Sequence, residues 1–240
     1  MRLPVIVSFL HKWIGLIIGI QIVLWVSGGV IMSWFPIQQV RGEHNVAEQE
    51  PAPLAAGSEY LPIGEALGRA GIAEASQVTL RPWLDRNVYE VRSDGTHLLD
   101  AATGERLSPL SEERARAVAL ADYAGEAEII GAALMEETNV EYRGTVPVWR
   151  FDFADADKTH LYVSPDTGRV AARRNATWRL YDFFWMLHIM DYQDRENFNN
   201  PLVVSAAITA LVMVLMGFAL LFWRLRLRDW RVMFARAPKS

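Results

Sequence analysis

The stretch Trp13–Phe35, WIGLIIGIQIVLWVSGGVIMSWF, contains no charged residue. A membrane-spanning helix needs about 20 predominantly apolar residues, so this stretch is long enough to cross a bilayer. A second apolar stretch, Leu202–Trp223, lies near the C-terminus of the 240-residue chain. The polar residues between the two stretches predict a two-pass membrane protein with a large extramembrane domain.

The central region is acidic and the two ends are basic. Residues 36–177 contain 23 Asp and Glu against 14 Lys and Arg, whereas the ends contain 5 against 10. The positive-inside rule therefore predicts cytoplasmic termini and a periplasmic central domain in a bacterial inner membrane. The acidic domain argues against nucleic acid as a partner. The chain has no cysteine, which excludes disulfides, Cys-ligated metals and thiol catalysis.

The first apolar stretch is expected to be an uncleaved anchor. It is longer than the apolar part of a signal peptide, and it ends in Trp34, Phe35 and Pro36 rather than at a small-residue cleavage site.

The central domain contains two similar segments. Each has a helical stretch, two short strands with period-two alternation and a Thr-Gly turn. In the first segment the helical stretch is 62–70, the strands are 88–91 and 96–100, and the Thr-Gly turn lies in 103–107. In the second segment the helical stretch is 112–123, the strands are 148–153 and 159–163, and the turn lies in 166–170. The repetition predicts an α+β fold in which a helix plus a short antiparallel sheet occurs twice.

These patterns give the following predicted boundaries. Residues 1–35 form the N-terminal segment and first transmembrane helix, and residues 36–58 form a linker. The two repeats occupy residues 59–110 and 111–177. An amphipathic interfacial helix with a connector follows at 178–200, then the second transmembrane helix at 201–224 and a basic cytoplasmic tail at 225–240.

Each apolar stretch has a histidine close by. His11 precedes the first stretch, and His188 lies in the aromatic stretch 178–192, which we expect to form an amphipathic helix at the membrane interface. The first helix can begin near Pro4, and Gly15, Gly19 and Gly29 then fall on the same helical face as His11. The GxxxG pattern of Gly15 and Gly19 allows close helix packing. The same face could instead leave room for a flat macrocycle ligated by His11. His188 could likewise be an ordinary interfacial side chain.

Other candidate residues favour structural roles. His97 and His160 occupy equivalent positions in the two repeats, which indicates shared ancestry of the repeats more than a metal pair. Asp152, Asp155 and Asp157 are typical of a solvated turn and match no known calcium loop. The sequence contains no HExxH, GxSxG or P-loop motif, so hydrolase or kinase activity is unsupported.

Three groups of residues together resemble the PepSY-associated transmembrane helix family. They are His11-Lys12-Trp13-Ile14-Gly15-Leu16, the paired Thr-Gly strand units, and Trp185-Met186-Leu187-His188. Longer members of this family are similar to four-helix, heme-binding reductases of siderophore-bound ferric iron. Other members are PepSY membrane proteins with roles proposed in regulation or protease inhibition. The chain departs from the reductases in having two spans and no flavin or NADPH module.

The resemblance implies heme b as cofactor and both histidines as axial ligands. It also implies that Gly15 and Gly19 make room for the ring and that Trp185 packs beside it. In the predicted topology, the two histidines lie on the order of 30 Å apart and cannot share one iron. A homodimer would supply four helices and two histidines at each level, because a two-fold axis places equivalent residues opposite each other.

The sequence therefore predicts a heme-binding transmembrane electron-transfer component, linked to iron acquisition or ferric-siderophore reduction and served by an electron-donor or iron-uptake partner. The alternatives are a non-catalytic anchored PepSY module that binds a periplasmic partner or protease, and an accessory subunit of a transporter.

Overall fold

The computed structural model describes residues 3–48, 54 and 59–224. The predicted tail 225–240 and most of the second half of the predicted linker lie outside the described residues. The chain divides into two units, one formed by residues 1–34 and 181–240 and the other by residues 35–180.

The first unit is dominated by two long apolar helices. Helix α1 spans Leu3–Trp34, and an 18-residue stretch of it has a mean hydropathy of 2.2. The corresponding stretch of the C-terminal helix, Pro201–Arg224, has a mean hydropathy of 2.5. Both are long and apolar enough to cross a membrane, which confirms the two predicted apolar helices at the ends of the chain. Asn200 accepts the backbone N–H of Val203 at 3.0 Å, so it caps the helix that Pro201 begins.

Helix α1 begins ten residues earlier than the predicted span. Residues 3–10 are mostly apolar and continue the helix without a break, so His11 and Lys12 lie within α1, as expected for a helix that begins near Pro4.

The second unit contains two helix-plus-sheet repeats, as predicted. After a short helix α2, Ile37–Val40, the first repeat consists of α3, Ile63–Arg69, and a three-stranded antiparallel sheet. Its strands are β1 Gln77–Trp83, β2 Arg86–Arg92 and β3 Thr96–Asp100. The second repeat consists of α4, Glu112–Asp122, and a four-stranded antiparallel sheet with strands β4 Ile129–Met135, β5 Val148–Phe153, β6 His160–Val163 and β7 Val170–Arg174. Helix α5, Ala176–Ile189, and α6, Pro201–Arg224, follow.

The sheet edges differ from the prediction. Strands β1 and β4 were not predicted, because β1 contains Pro82 and β4 contains weakly strand-forming Gly and Ala residues around Gly131. The segment after β3 forms only a single bridge, between Leu99 and Arg106, whereas the equivalent segment of the second repeat forms β7. The first sheet therefore has one strand fewer than the second.

The two repeats share one hydrophobic core. One face of the first sheet packs on α3 through Tyr89, Val91 and Leu99. Its other face contributes Val88 and Leu98 to a cluster that also contains residues of α4, β5 and β6. Full burial of each large apolar side chain in this cluster stabilises the fold by about 1.5–3 kcal/mol. Residues 35–180 therefore fold as a single body.

The first half of the predicted linker is ordered over residues 37–47. Val40 is only 3% exposed. The amide of Asn175 donates to the carbonyl of Gln39 at 2.9 Å, and the N–H of Ala47 donates to the carbonyl of Asp122 at 2.7 Å. These contacts fasten the segment to the second repeat.

Candidate functional site

His11 lies at the contact between α1 and α6. Its Cε1 atom is 3.5 Å from the position that a Cβ on Gly217 would occupy. One turn farther along each helix, Met213 Cε lies 2.8 Å from the corresponding position on Gly15. The two contacts show that the helices pack antiparallel. Gly15 therefore makes room for Met213, as the helix-packing interpretation requires, and Gly217 makes room for His11.

Gly19 has a different environment from Gly15. No atom lies within 4 Å of the position that its Cβ would occupy. Gly19 therefore leaves open space beside α1, whereas Gly15 does not.

His11 lies well inside the apolar length of the helix pair. It faces Gly217, which precedes Arg224 by seven residues, or about 10 Å of helix. The predicted apolar span begins at Trp13, two residues after this histidine, and α1 extends back to Leu3. Ionisable side chains at such positions are costly and mark functional sites.

His188 lies in the last turn of α5, beside α1. Its ring centroid is 5.7 Å from that of Trp25, and the two ring planes are tilted by 41°. The aromatic partner of His188 is therefore Trp25, a residue that the sequence analysis did not assign to the site.

Side chains from other helices cap the C-terminal end of α5. The last carbonyls of a helix have no partner within the helix. Here Gln21 donates to the carbonyl of Leu187 at 3.4 Å, and the indole N–H of Trp25 donates to the carbonyl of His188. Asn200 donates to the carbonyl of Ile189 at 2.8 Å. The end of α5 that carries His188 is thus fixed by α1 on one side and by the start of α6 on the other.

Trp185 is held by the connector between α5 and α6. Its indole N–H donates to the carbonyl of Arg195 at 3.1 Å, while the Arg195 guanidinium donates to Asp182, which is 5% exposed. Backbone N–H groups, that of Asn197 foremost, hold the pKa of Asp191 in the same connector below its usual range. These contacts give the turn of α5 before His188 a defined position.

Both imidazoles have an unsatisfied nitrogen. The Nδ1 atoms of His11 and His188 are buried and have no hydrogen-bond partner among the described residues. A buried polar atom left without a partner costs about 1–3 kcal/mol. These two atoms therefore mark places where a hydrogen-bond partner would be favourable.

The two histidines lie at different levels along α1. His11 belongs to α1 itself, and His188 lies against Trp25, fourteen residues farther along the helix. At 1.5 Å per residue this separation is about 21 Å, somewhat shorter than the sequence suggested. The two imidazoles of one chain therefore cannot ligate one metal ion.

The two histidines of the repeats already have partners. His97 Nδ1 lies 2.7 Å from Arg106 and its Nε2 lies 3.1 Å from Asp94. His160 Nδ1 lies 2.7 Å from the Glu141 carboxylate and 2.9 Å from Arg179. Their equivalent places at the start of β3 and in β6 agree with the interpretation of shared ancestry.

The carboxylate of Glu141 is the centre of an ion network in the second repeat. It accepts from Arg179 Nε at 2.6 Å and from the hydroxyl of Tyr162 at 3.1 Å, besides its contact with His160. Burial alone would raise the pKa of Glu141, but the His160 and Arg179 contacts outweigh it and hold the pKa well below its usual range. This network orders the first turns of α5, where Arg179 lies.

The three aspartates near β5 are engaged by protein donors. Asp155 accepts the backbone N–H of Thr159 at 2.8 Å and the hydroxyl of Tyr123 at 3.0 Å, and burial together with this contact raises the pKa of Tyr123 to about 12. Asp152 pairs with Arg150 at 2.6 Å, and Asp157 lies 3.6 Å from His44. In the part of the chain that the structure describes, no group of three or more His, Asp or Glu side chains could hold a metal ion.

Comparison with known proteins identifies one family. Residues 9–240 match the family model described as the PepSY-associated TM region, which covers nearly the whole chain. No curated protein and no solved structure matches the chain.

Proposed function

The chain belongs to the PepSY-associated TM region family, and on this premise we propose that it is a heme-binding component that carries electrons across a bacterial inner membrane. The electrons would serve iron acquisition or the reduction of ferric siderophores. The proposal gives the two membrane-helix histidines the role of axial ligands.

One observation carries the proposal. Both His11 and His188 lie on the helices of the membrane unit, and each has a buried Nδ1 without a partner among the described residues. By contrast, His97 and His160 in the repeats have their nitrogens engaged by charged side chains. A neutral imidazole is the form that ligates heme iron.

The surroundings of His11 fit a macrocycle better at Gly19 than at Gly15. The space beside Gly15 is taken by Met213, whereas the space beside Gly19 is open. Trp25 supplies aromatic surface beside His188, and Trp185 lies three residues before His188 in α5. When bound, heme supplies one-electron chemistry through its Fe(III)/Fe(II) couple, and two levels about 21 Å apart along α1 would place one such group toward each side of the membrane.

A homodimer would complete both sites. One chain offers a single histidine at each level, so ligation by two imidazoles requires a second copy, and a two-fold axis supplies the same residue at the same level. With the termini in the cytoplasm and the acidic domain in the periplasm, the His11 level would receive electrons from a donor protein. The His188 level would pass them outward.

The test is the heme content of the purified full-length protein. We expect about one heme per chain in the wild type, and about half as much in either His11→Ala or His188→Ala. His44→Ala is the matched control, because His44 lies outside the membrane helices and should leave the heme content unchanged. At Gly19, alanine should be tolerated and leucine should displace heme from the His11 level.

Wild-type protein without heme, after expression with ample heme, would contradict the proposal. Heme content that is unchanged in both histidine variants would contradict the assignment of the ligands. In the first case the remaining function is that of a membrane-anchored PepSY module that binds a periplasmic partner.

A further inference from the structure

A cleft of about 470 Å³ lies between the start of α1 and the end of α6. Ser8, Phe9 and Lys12 line it from α1, and Leu220, Trp223 and Arg224 line it from α6. The cleft lies toward the end of the helix pair, with most of its lining beyond the contact of His11 with Gly217 and with Lys12 adjoining His11 along α1. It is therefore separate from the open space beside Gly19 and from His188.

The cleft contains two cations that have no anionic partner in the described structure. Lys12 contacts the ring of Trp13, with its Nζ atom 5.9 Å from the ring centroid. No ion pair or hydrogen bond joins Lys12 or Arg224 to another described side chain. Both residues line the cleft and are exposed, and a cation at the end of a membrane helix is favourable beside an anion or in water.

We propose that this cleft binds the headgroup of an anionic glycerophospholipid. The planar guanidinium of Arg224 can donate two parallel hydrogen bonds to a phosphate, and the Lys12 ammonium adds a second positive charge. The hydroxyl of Ser8 supplies a neutral donor. The charges of the cleft are thus complementary to a phosphate diester.

The walls of the cleft favour a lipid over a soluble anion. Phe9 and Leu220 are apolar and line the cleft beside the cations, so they can contact the glycerol backbone and the first part of an acyl chain. Trp223 is of the residue type that settles at the headgroup level of a bilayer. Basic pockets between membrane helices at the cytoplasmic face bind acidic headgroups in the same way.

The experiment is a lipid titration of the delipidated full-length protein, followed by native mass spectrometry. The probes are phosphatidylglycerol, phosphatidylcholine and inorganic phosphate. The test variant is Lys12→Gln/Arg224→Gln. The control variant, Arg92→Gln/Lys158→Gln, also removes two cations, but both are exposed and lie in the repeats.

We expect the wild type and the control variant to bind phosphatidylglycerol about thirtyfold more tightly than the test variant does. This ratio follows from two basic residues, each of which contributes its usual binding free energy at an anionic surface. Phosphatidylcholine should not distinguish the proteins, and millimolar phosphate should not displace the bound lipid. Should the double variant not fold, each single variant should lose about fivefold.

Equal binding of phosphatidylglycerol to the wild type and the test variant would overturn the proposal. Equal affinity of the wild type for the two lipids would overturn it too. Displacement of the lipid by phosphate would show that the cleft selects a free anion. None of these outcomes depends on whether heme is bound.

Discussion

Replacement of Glu141 by glutamine tests whether the ion network of the second repeat stabilises the extramembrane unit. The carboxylate contacts His160, Tyr162 and Arg179 at 2.6–3.1 Å, and its side chain is 24% exposed. Glutamine keeps the shape and one acceptor oxygen but removes the charge opposite Arg179. The change therefore isolates the electrostatic part of the network.

The expected loss is about 2 kcal/mol. A hydrogen bond to a charged group contributes about 1.5–3 kcal/mol when buried, and an exposed ion pair contributes about 0–1 kcal/mol. Glu141 and Arg179, with side chains 24% and 28% exposed, lie between these cases. For a protein of this size, such a loss lowers the melting temperature by about 4–8 °C.

The assay is thermal unfolding of the full-length protein in detergent, with Glu137→Gln as the control because Glu137 is exposed. The control should melt within about 2 °C of the wild type at every pH. If Glu141→Gln melts at the wild-type temperature at pH 7, the expected contribution of the network to the free energy of unfolding is refuted.

The pH dependence of the difference supplies a second test. The pKa of Glu141 is depressed in the folded chain, so its contribution is complete above the ordinary glutamate pKa of about 4.5. Below that pH the unfolded chain takes up a proton that the folded chain does not, and the contribution shrinks as pH falls. The gap between wild type and variant should therefore be constant from about pH 7 to 5 and narrow from about pH 4.5 to 3. A gap that stays constant or widens on acidification would refute the electrostatic origin.

Two further predictions concern single contacts. Trp25→Phe removes the indole donor to the His188 carbonyl. We expect the free energy of unfolding to fall by about 1 kcal/mol and the melting temperature to fall by about 2–4 °C. The control Trp34→Phe should change the melting temperature little, because Trp34 is 80% exposed. Equal shifts in the two variants would show that the capping contact contributes nothing. Asp155→Asn removes the anion beside Tyr123, so the pKa of Tyr123 should fall below the value of about 12 expected in the wild type. The pKa is read from a pH titration of tyrosinate absorbance, after subtraction of the titration of Tyr123→Phe. A pKa of Tyr123 that stays the same would mean that burial alone raises it.

The parts of the fold that have a long or repeated pattern in the sequence could be predicted. Both apolar helices follow from uninterrupted hydrophobicity, and both repeats follow from period-two alternation followed by Thr-Gly. The edge strands β1 and β4 could not be predicted, because Pro82 and the Gly131 segment are poor strand formers that pair only through a neighbouring strand. In these strands tertiary pairing outweighs local propensity.

The start of α1 shows that the apolar span and the helix that contains it begin at different residues. Lys12 interrupts the apolar run, so the predicted span begins after it and leaves His11 outside. The helix itself continues back to Leu3, because one charged residue does not end a helix, and it places His11 opposite Gly217. Only the partner helix reveals the depth of this histidine.

The surroundings of His188 could not be derived from local sequence. The histidine itself was identified from an aromatic helical face and a family resemblance. Its partners Gln21 and Trp25 are more than 160 positions away along the chain. A glutamine and a tryptophan in an apolar helix each need a polar partner, and that requirement is the only signal in the sequence that points to them.

The absorption spectrum of the purified full-length protein, first oxidised and then reduced with dithionite, tests the central claim most directly. We expect a Soret band that shifts on reduction together with sharp α and β bands, as for a low-spin heme held by two imidazoles. A flat spectrum from protein expressed with ample heme would contradict the claim that His11 and His188 are heme ligands.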